Sequence, residues 1–187
     1  GDRYQQLELE KLRIEKALRQ QNDLLNRVTN TAPAGIMVRN PQGQITFANA
    51  YAQRKLRLTL SEGSPPIYDS PDWQVTELDG GNFPEELLPF RQVLSTRQPV
   101  SSVRHAIQLP GEKPIYISAN AAPILSPNGQ IESIVITIED ITEQIAILKA
   151  NLESEERYRR LVELSPDAIA VHSDGHFVYI NPAGFRL

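Results

Sequence analysis

The chain contains no cysteine. That absence excludes a disulfide framework, a thiol nucleophile, a zinc–thiolate site and an iron–sulfur cluster. Histidine is scarce: His105, His172 and His176 are the full set. Long apolar runs are missing as well. The longest are a few residues, such as Ile134–Val135–Ile136, far short of the ~20 that a membrane-spanning helix needs. No basic-then-apolar leader pattern opens the chain. Neither charge sign dominates. Lys and Arg number 19 and Asp and Glu 23, for a net charge of −4, and bulk electrostatics of that kind do not favour nucleic acid. The reading is a chain with no nucleic-acid partner and no membrane segment in this stretch. At 187 residues there is room for one ordinary domain with additions. The first residue is Gly and the helical pattern is already under way, as expected of a piece of a longer protein.

What is present begins with a helix over residues 2–28. Tyr4, Leu7, Lys11, Ile14, Leu18, Gln21, Leu25 and Val28 follow one another at steps of 3 and 4, with no Gly or Pro between. Such a seam predicts a coiled coil joining two chains, with Tyr4, Leu7, Ile14, Leu18, Leu25 and Val28 as the apolar contacts. The alternative is one amphipathic helix packed on its own domain. Thr31-Ala32-Pro33 ends the helix. Strand, turn and strand follow at 35–39, 40–43 and 44–48, with Gly43 free to take positive φ. Residues 49–60 read as helix and 61–82 as a loop carrying Trp73. Residues 84–96 read as one helix with Pro84 at its start. Three strands are predicted at 103–109, 115–124 and 131–139, with Asn128-Gly129 as a hairpin turn. A last helix is expected from Asp140 to about Leu164, opened by a capping pattern of Asp140 with Glu143. Five strands with helices between the second and third make an α+β domain.

No catalytic constellation is present. There is no nucleophile elbow and no Gly-rich phosphate loop. Glu85-Glu86 at a helix start suits the macrodipole rather than acid–base chemistry. His172 and His176 flank a hairpin turn without a third ligand, so no metal site is expected.

An internal repeat is legible. Ala32-Pro33-Ala-Gly-Ile-Met-Val38 matches Ser165-Pro166-Asp-Ala-Ile-Ala-Val171. Gly43-Gln-Ile-Thr-Phe-Ala-Asn49 matches Gly175-His-Phe-Val-Tyr-Ile-Asn181 at a constant offset. The expected organisation is a helix over 1–29, a complete domain over 30–140, a connector helix over 141–164 and the truncated start of a second domain over 165–187. A lone hairpin is marginal in water. Another chain is therefore expected to cover Ile169, Val171, Phe177, Tyr179, Ile180, Phe185 and Leu187.

Asn40-Pro-Gln-Gly43 followed by Ile45-Thr-Phe-Ala-Asn49, then Ala122-Pro123-Ile124, Asn128-Gly129 and Asp140-Ile-Thr-Glu143, together resemble the PAS domain family. The resemblance covers about residues 30–143 and again 163–187. It implies a five-stranded antiparallel sheet with a helical flank around a small-molecule cavity, here preceded and followed by long coiled-coil-type helices. It implies a sensory or dimerisation module, not an enzyme. Asp79-Gly-Gly-Asn-Phe-Pro-Glu-Glu86 is similar to the PAS domains of bacterial sensor histidine kinases. The implied parent is therefore a two-component kinase, with a diguanylate cyclase or phosphodiesterase, or a ligand-free dimerisation scaffold, as alternatives. The flavin-binding members that form a cysteinyl adduct need a cysteine this chain lacks. Haem-binding members use a helix histidine, whereas His105 is expected on a strand. The cofactor is left unknown.

The candidate ligand residues are Tyr68 and Trp73 in the loop, Arg91 on a helix, and His105, Tyr116 and Asn120 on strands. Aromatic walls with a few polar groups suit a pocket. Asp140 and Thr142, where strand becomes connector, are the candidate relay to an output domain of the same chain.

Overall fold

The computed structural model describes residues 2–63 and 67–186. The expected loop therefore falls outside the described residues at 64–66, as does Leu187. The chain divides into two compact units, Gly1–Ile141 and Thr142–Leu187.

In the first unit, helix α1 spans Asp2–Thr31. Strands β1 (Gly35–Arg39) and β2 (Ile45–Ala48) follow as a hairpin. Its turn closes through Gly43 N–H to Asn40 O at 2.9 Å, with Gly43 at φ +88°. Helix α2 (Ala50–Leu56) starts on Asn49, whose side chain accepts from Ala52 N, and stops at Arg57 in the left-handed region. The helix expected over 49–60 thus ends early, and short strand β3 (Thr59–Leu60) takes its last two residues; short strands β4 (Tyr68–Asp69) and β5 (Gln74–Thr76) lie where a plain loop is expected.

The expected single helix over 84–96 is broken. Residues Glu85–Leu87 form a 3-10 turn, Leu88 is extended, and helix α3 begins at Pro89. Proline disfavours helical geometry in the residue before it but is well suited to the first helical position. Strands β6 (Val100–Gln108), β7 (Ile115–Leu125) and β8 (Ile131–Asp140) complete the unit.

The five long strands stand in the order β2-β1-β8-β7-β6, all antiparallel, as the α+β reading required. Strands β3 and β4 extend one edge and β5 the other, so the sheet has eight strands rather than five. Inner-face residues Met37, Ile45, Ile107, Ile117, Ala119, Ile134, Ile136 and Ile138 form the core with Leu56, Phe90 and Val93 from α2 and α3. Gly35 sits so close to β8 that a Cβ there would stand 2.4 Å from Ile138 Cγ1.

The second unit holds helix α4 (Thr142–Glu163) and a hairpin of β9 (Ala170–Ser173) with β10 (His176–Ile180). Its turn is Asp174-Gly175 with both φ positive, the two-residue solution that suits strand twist. Among the described residues β9 and β10 pair only with each other. Phe177 is exposed and Ile180 only partly covered. No other described strand of this chain covers the hairpin, and the cover expected for it is another chain. The helix expected from Asp140 starts two residues later, because Asp140 is still paired to Ile117 of β7.

Candidate functional site: an interior cavity and its two junctions

A cavity of about 380 Å³ lies between the inner face of the sheet and α3. That volume is within the range of small-molecule sites. Met37, Ile117, Ala119, Ile136 and Ile138 supply the sheet wall, and Leu88, Pro89 and Phe90 the helical wall. Trp73 and Val75 close one edge. The polar lining is Arg39, Gln42, Glu85, Arg91 and His105.

Three of the six candidate ligand residues reach this cavity: Trp73, Arg91 and His105. The other three do not. Tyr116 and Asn120 alternate with the inward Ile117 and Ala119 along β7, which puts them on the outer face. Asn120 there accepts from Ser102 N at 2.9 Å and donates to Thr137 Oγ1 at 3.2 Å. Tyr68 packs against the core from β4, and its hydroxyl accepts from Gln53 Nε2 at 3.4 Å.

The sequence reading missed Arg39. It closes β1 in register with Ile134 of β8, on the inner face. Its guanidinium lies over the Phe90 ring, 5.5 Å from the centroid. Its Nε is buried without a hydrogen-bond partner. Burial, and then the neighbouring Arg91 charge, hold Arg39 below its ordinary pKa. Arg91 itself is paired with Glu85 through Nη2.

His105 is 4% exposed and faces the cavity from β6. Its ring stacks at a tilt on Phe83, with centroids 5.2 Å apart, and its Nδ1 has no partner. Burial lowers its pKa, and the Val103 backbone acts the other way to a lesser degree.

Two junctions tie the elements of this unit together. At the first, Asn49 is 1% exposed and makes all four bonds its carboxamide allows. Oδ1 accepts from Ile36 N at 3.0 Å and Ala52 N at 2.9 Å. Nδ2 donates to Thr29 O at 2.7 Å and Ala34 O at 2.9 Å. Thr29 O is one of the carbonyls that a helix end leaves without an internal partner. Asn181 repeats the arrangement in the second unit: Oδ1 takes Ile169 N and Gly184 N, and Nδ2 reaches Val162 O and Asp167 O, at 2.9–3.0 Å. The sequence repeat is thus reproduced bond for bond.

At the second junction, Asp140 ends β8 opposite the cavity-lining Ile117. Its Oδ2 accepts from Lys55 Nζ of α2 at 2.6 Å. This hydrogen bond is the main cause of a raised Lys55 pKa. Ile141 N–H donates to Tyr116 O at 2.8 Å. Thr142 opens α4 in the second unit.

The six seam residues Tyr4, Leu7, Ile14, Leu18, Leu25 and Val28 are each more than half exposed. His172 stacks edge-on against Phe177, and no cluster of metal-ligating side chains exists among the described residues. None of the described helices is long and apolar enough to cross a membrane.

The family model described as PAS fold matches residues 29–146, and one described as PAS domain matches residues 156–187. The chain belongs to the PAS family. No curated protein matches it. Among solved structures, the PAS domain of Bordetella pertussis BvgS is 19% identical, with 74% of this chain and 98% of that one covered and a TM-score of 0.47. The PAS domain of an HTR-like protein from Haloarcula marismortui is 16% identical, covering 69% and 98%, at 0.47. A sensory box histidine kinase/response regulator from Burkholderia thailandensis is 19% identical, covering 70% and 93%, at 0.46.

His105 gives a pH test. Its folded-state pKa lies below the ordinary 6.5. Above pH 6.5 both states are neutral and the stability is fully present. Below it the unfolded chain takes up a proton that the folded chain refuses. Stability then falls toward the folded pKa by up to about 1.4 kcal/mol per pH unit. Urea unfolding of His105→Gln between pH 7 and 5 should show a shallower acid loss than wild type, and parallel curves would contradict this.

Proposed function

We propose that this chain is the sensory and dimerisation module of a cytoplasmic multidomain signalling protein, itself without catalytic activity. Occupancy of the cavity is relayed through the Asp140 junction and Thr142 into α4 and on to an output domain of the same parent. The observation that carries the reading is that cavity wall and junction are register neighbours: Ile117 faces the cavity and pairs with Asp140. A ligand that displaces β7 or β8 therefore acts directly on the strand end that α4 follows. The proposed output is a sensor histidine kinase of a two-component system, resting on the similarity of the Asp79–Glu86 segment to PAS domains of such kinases.

The parent works as a homodimer in this reading. An exposed heptad seam on a 30-residue helix, with no buried residue among those described, suits a second copy of itself. Helix α4 continues the theme with a defect. Counted from the buried Ile141 just before the helix, Ile145, Leu148 and Leu152 keep heptad steps, but the next positions hold Glu155, Arg159 and Val162. Glu155 and Arg159 pair along the helix at 3.0 Å, which satisfies them away from a seam. A stutter of this kind changes local winding and makes a two-state element.

Two outcomes are expected. Sedimentation of the chain should give a dimer, and Leu18→Asp with Leu25→Asp should shift it toward monomer; a monomeric wild type at high concentration contradicts the seam. In the full-length parent, deleting one residue near Ser154 should change output, whereas deleting seven should be milder. Equal effects would make α4 a passive spacer.

A further inference from the structure

The cavity carries an imbalance of charge. Two guanidinium groups and one carboxylate line it, and the carboxylate of Glu85 is already paired with Arg91. Arg39 has no carboxylate partner among the described residues, and its enclosed Nε has no hydrogen-bond partner of any kind. An enclosed cation without a counter-charge is costly. The Phe90 ring faces the guanidinium carbon at 5.5 Å but supplies no hydrogen-bond acceptor atom. A planar guanidinium with free donors matches a carboxylate bidentately. The rest of the wall is apolar and aromatic, and the volume equals about a dozen water volumes. It suits a small molecule.

We propose that the cavity binds a small organic monocarboxylate, its carboxylate on Arg39 and its apolar body between Trp73 and the Ile117 wall. The proposal rests on reading the cavity as a ligand site and adds the ligand's charge and size. Buried Nδ1 of His105 is a second, neutral hydrogen-bonding group in the same cavity. It suits a polar substituent on the body of the acid.

The test is calorimetric titration of the full chain with phenylacetate and hexanoate, each against its primary amide, and with inorganic phosphate. At least one acid should bind tenfold or more tightly than its amide. Arg39→Met should abolish that preference and Arg39→Lys should retain part of it. Ala119→Leu, which fills the cavity without touching charge, should weaken acid and amide alike. If an acid and its amide bind equally and Ala119→Leu blocks both, the cavity is a ligand site but the carboxylate assignment is overturned. Phosphate binding that depends on Arg39, with no acid binding, also overturns it. If neither acids nor amides bind, both the assignment and the ligand-site reading fall. Should Arg39→Met not fold, the acid-to-amide ratio on wild type decides the matter alone.

Discussion

The arrangement depends on one carboxamide. A helix ends with carbonyls it cannot satisfy, and a strand that starts soon after must leave the helix axis without exposing further polar groups. Asn49 meets both demands at once. Its amide nitrogen takes Thr29 O from α1 and Ala34 O from the intervening turn, and its oxygen takes the first amide of β1 beyond Gly35 and an amide of α2. No other side chain of that size offers two donors and two acceptors in one plane. Aspartate would place a charge against two carbonyls, and leucine would leave four backbone groups unpaired, at about 1–3 kcal/mol each. Asn181 makes the same four kinds of bond at the corresponding positions of the second unit.

From that point α2 becomes a bridge. It starts on Asn49 and carries Lys55 in its last turn, which holds Asp140 at the end of β8. The end of α1 and the end of β8 are therefore attached to opposite ends of one seven-residue helix. Seven residues are two turns, a short and stiff connection. The ion pair is half-exposed on the lysine side, so its worth is of order 1 kcal/mol or less. A contact that weak can be made and broken by ligand energies, whereas the Asn49 bonds cannot. The fold thus has one fixed junction and one yielding one.

How much of this was legible follows from the range of each signal. Turn chemistry is local, and the Asn40–Gly43 and Asn128–Gly129 turns stood where their residues put them. The two long helices and the five long strands are periodic, and their residues make them legible. Strands β3 to β5 were not, because two or three residues carry no period. Pro84 reads as the helix start in the sequence, whereas Pro89 is the true one. Two prolines within six residues compete for the same role, and only the extended Leu88 between them decides it. In the site, Trp73, Arg91 and His105 were found by residue type. Tyr116 and Asn120 were placed by type alone, although their parity with Ile117 already sent them to the outer face. Arg39 was missed because a charged residue at a strand end reads as solvated. Lys55 was missed because its partner is 85 residues away in the chain.

The central claim is that Asn49 makes the end of α1 and the sheet one cooperative unit. Native-state amide hydrogen exchange tests it most directly, comparing the last turn of α1 with Ile36, Ala52 and the core amide of Ile117. In wild type all should open with one free energy. In Asn49→Ala the helix amides should exchange through a separate, easier opening while Ile117 stays protected. Independent exchange of the helix end in wild type, or no change at that end in Asn49→Ala, would contradict the account.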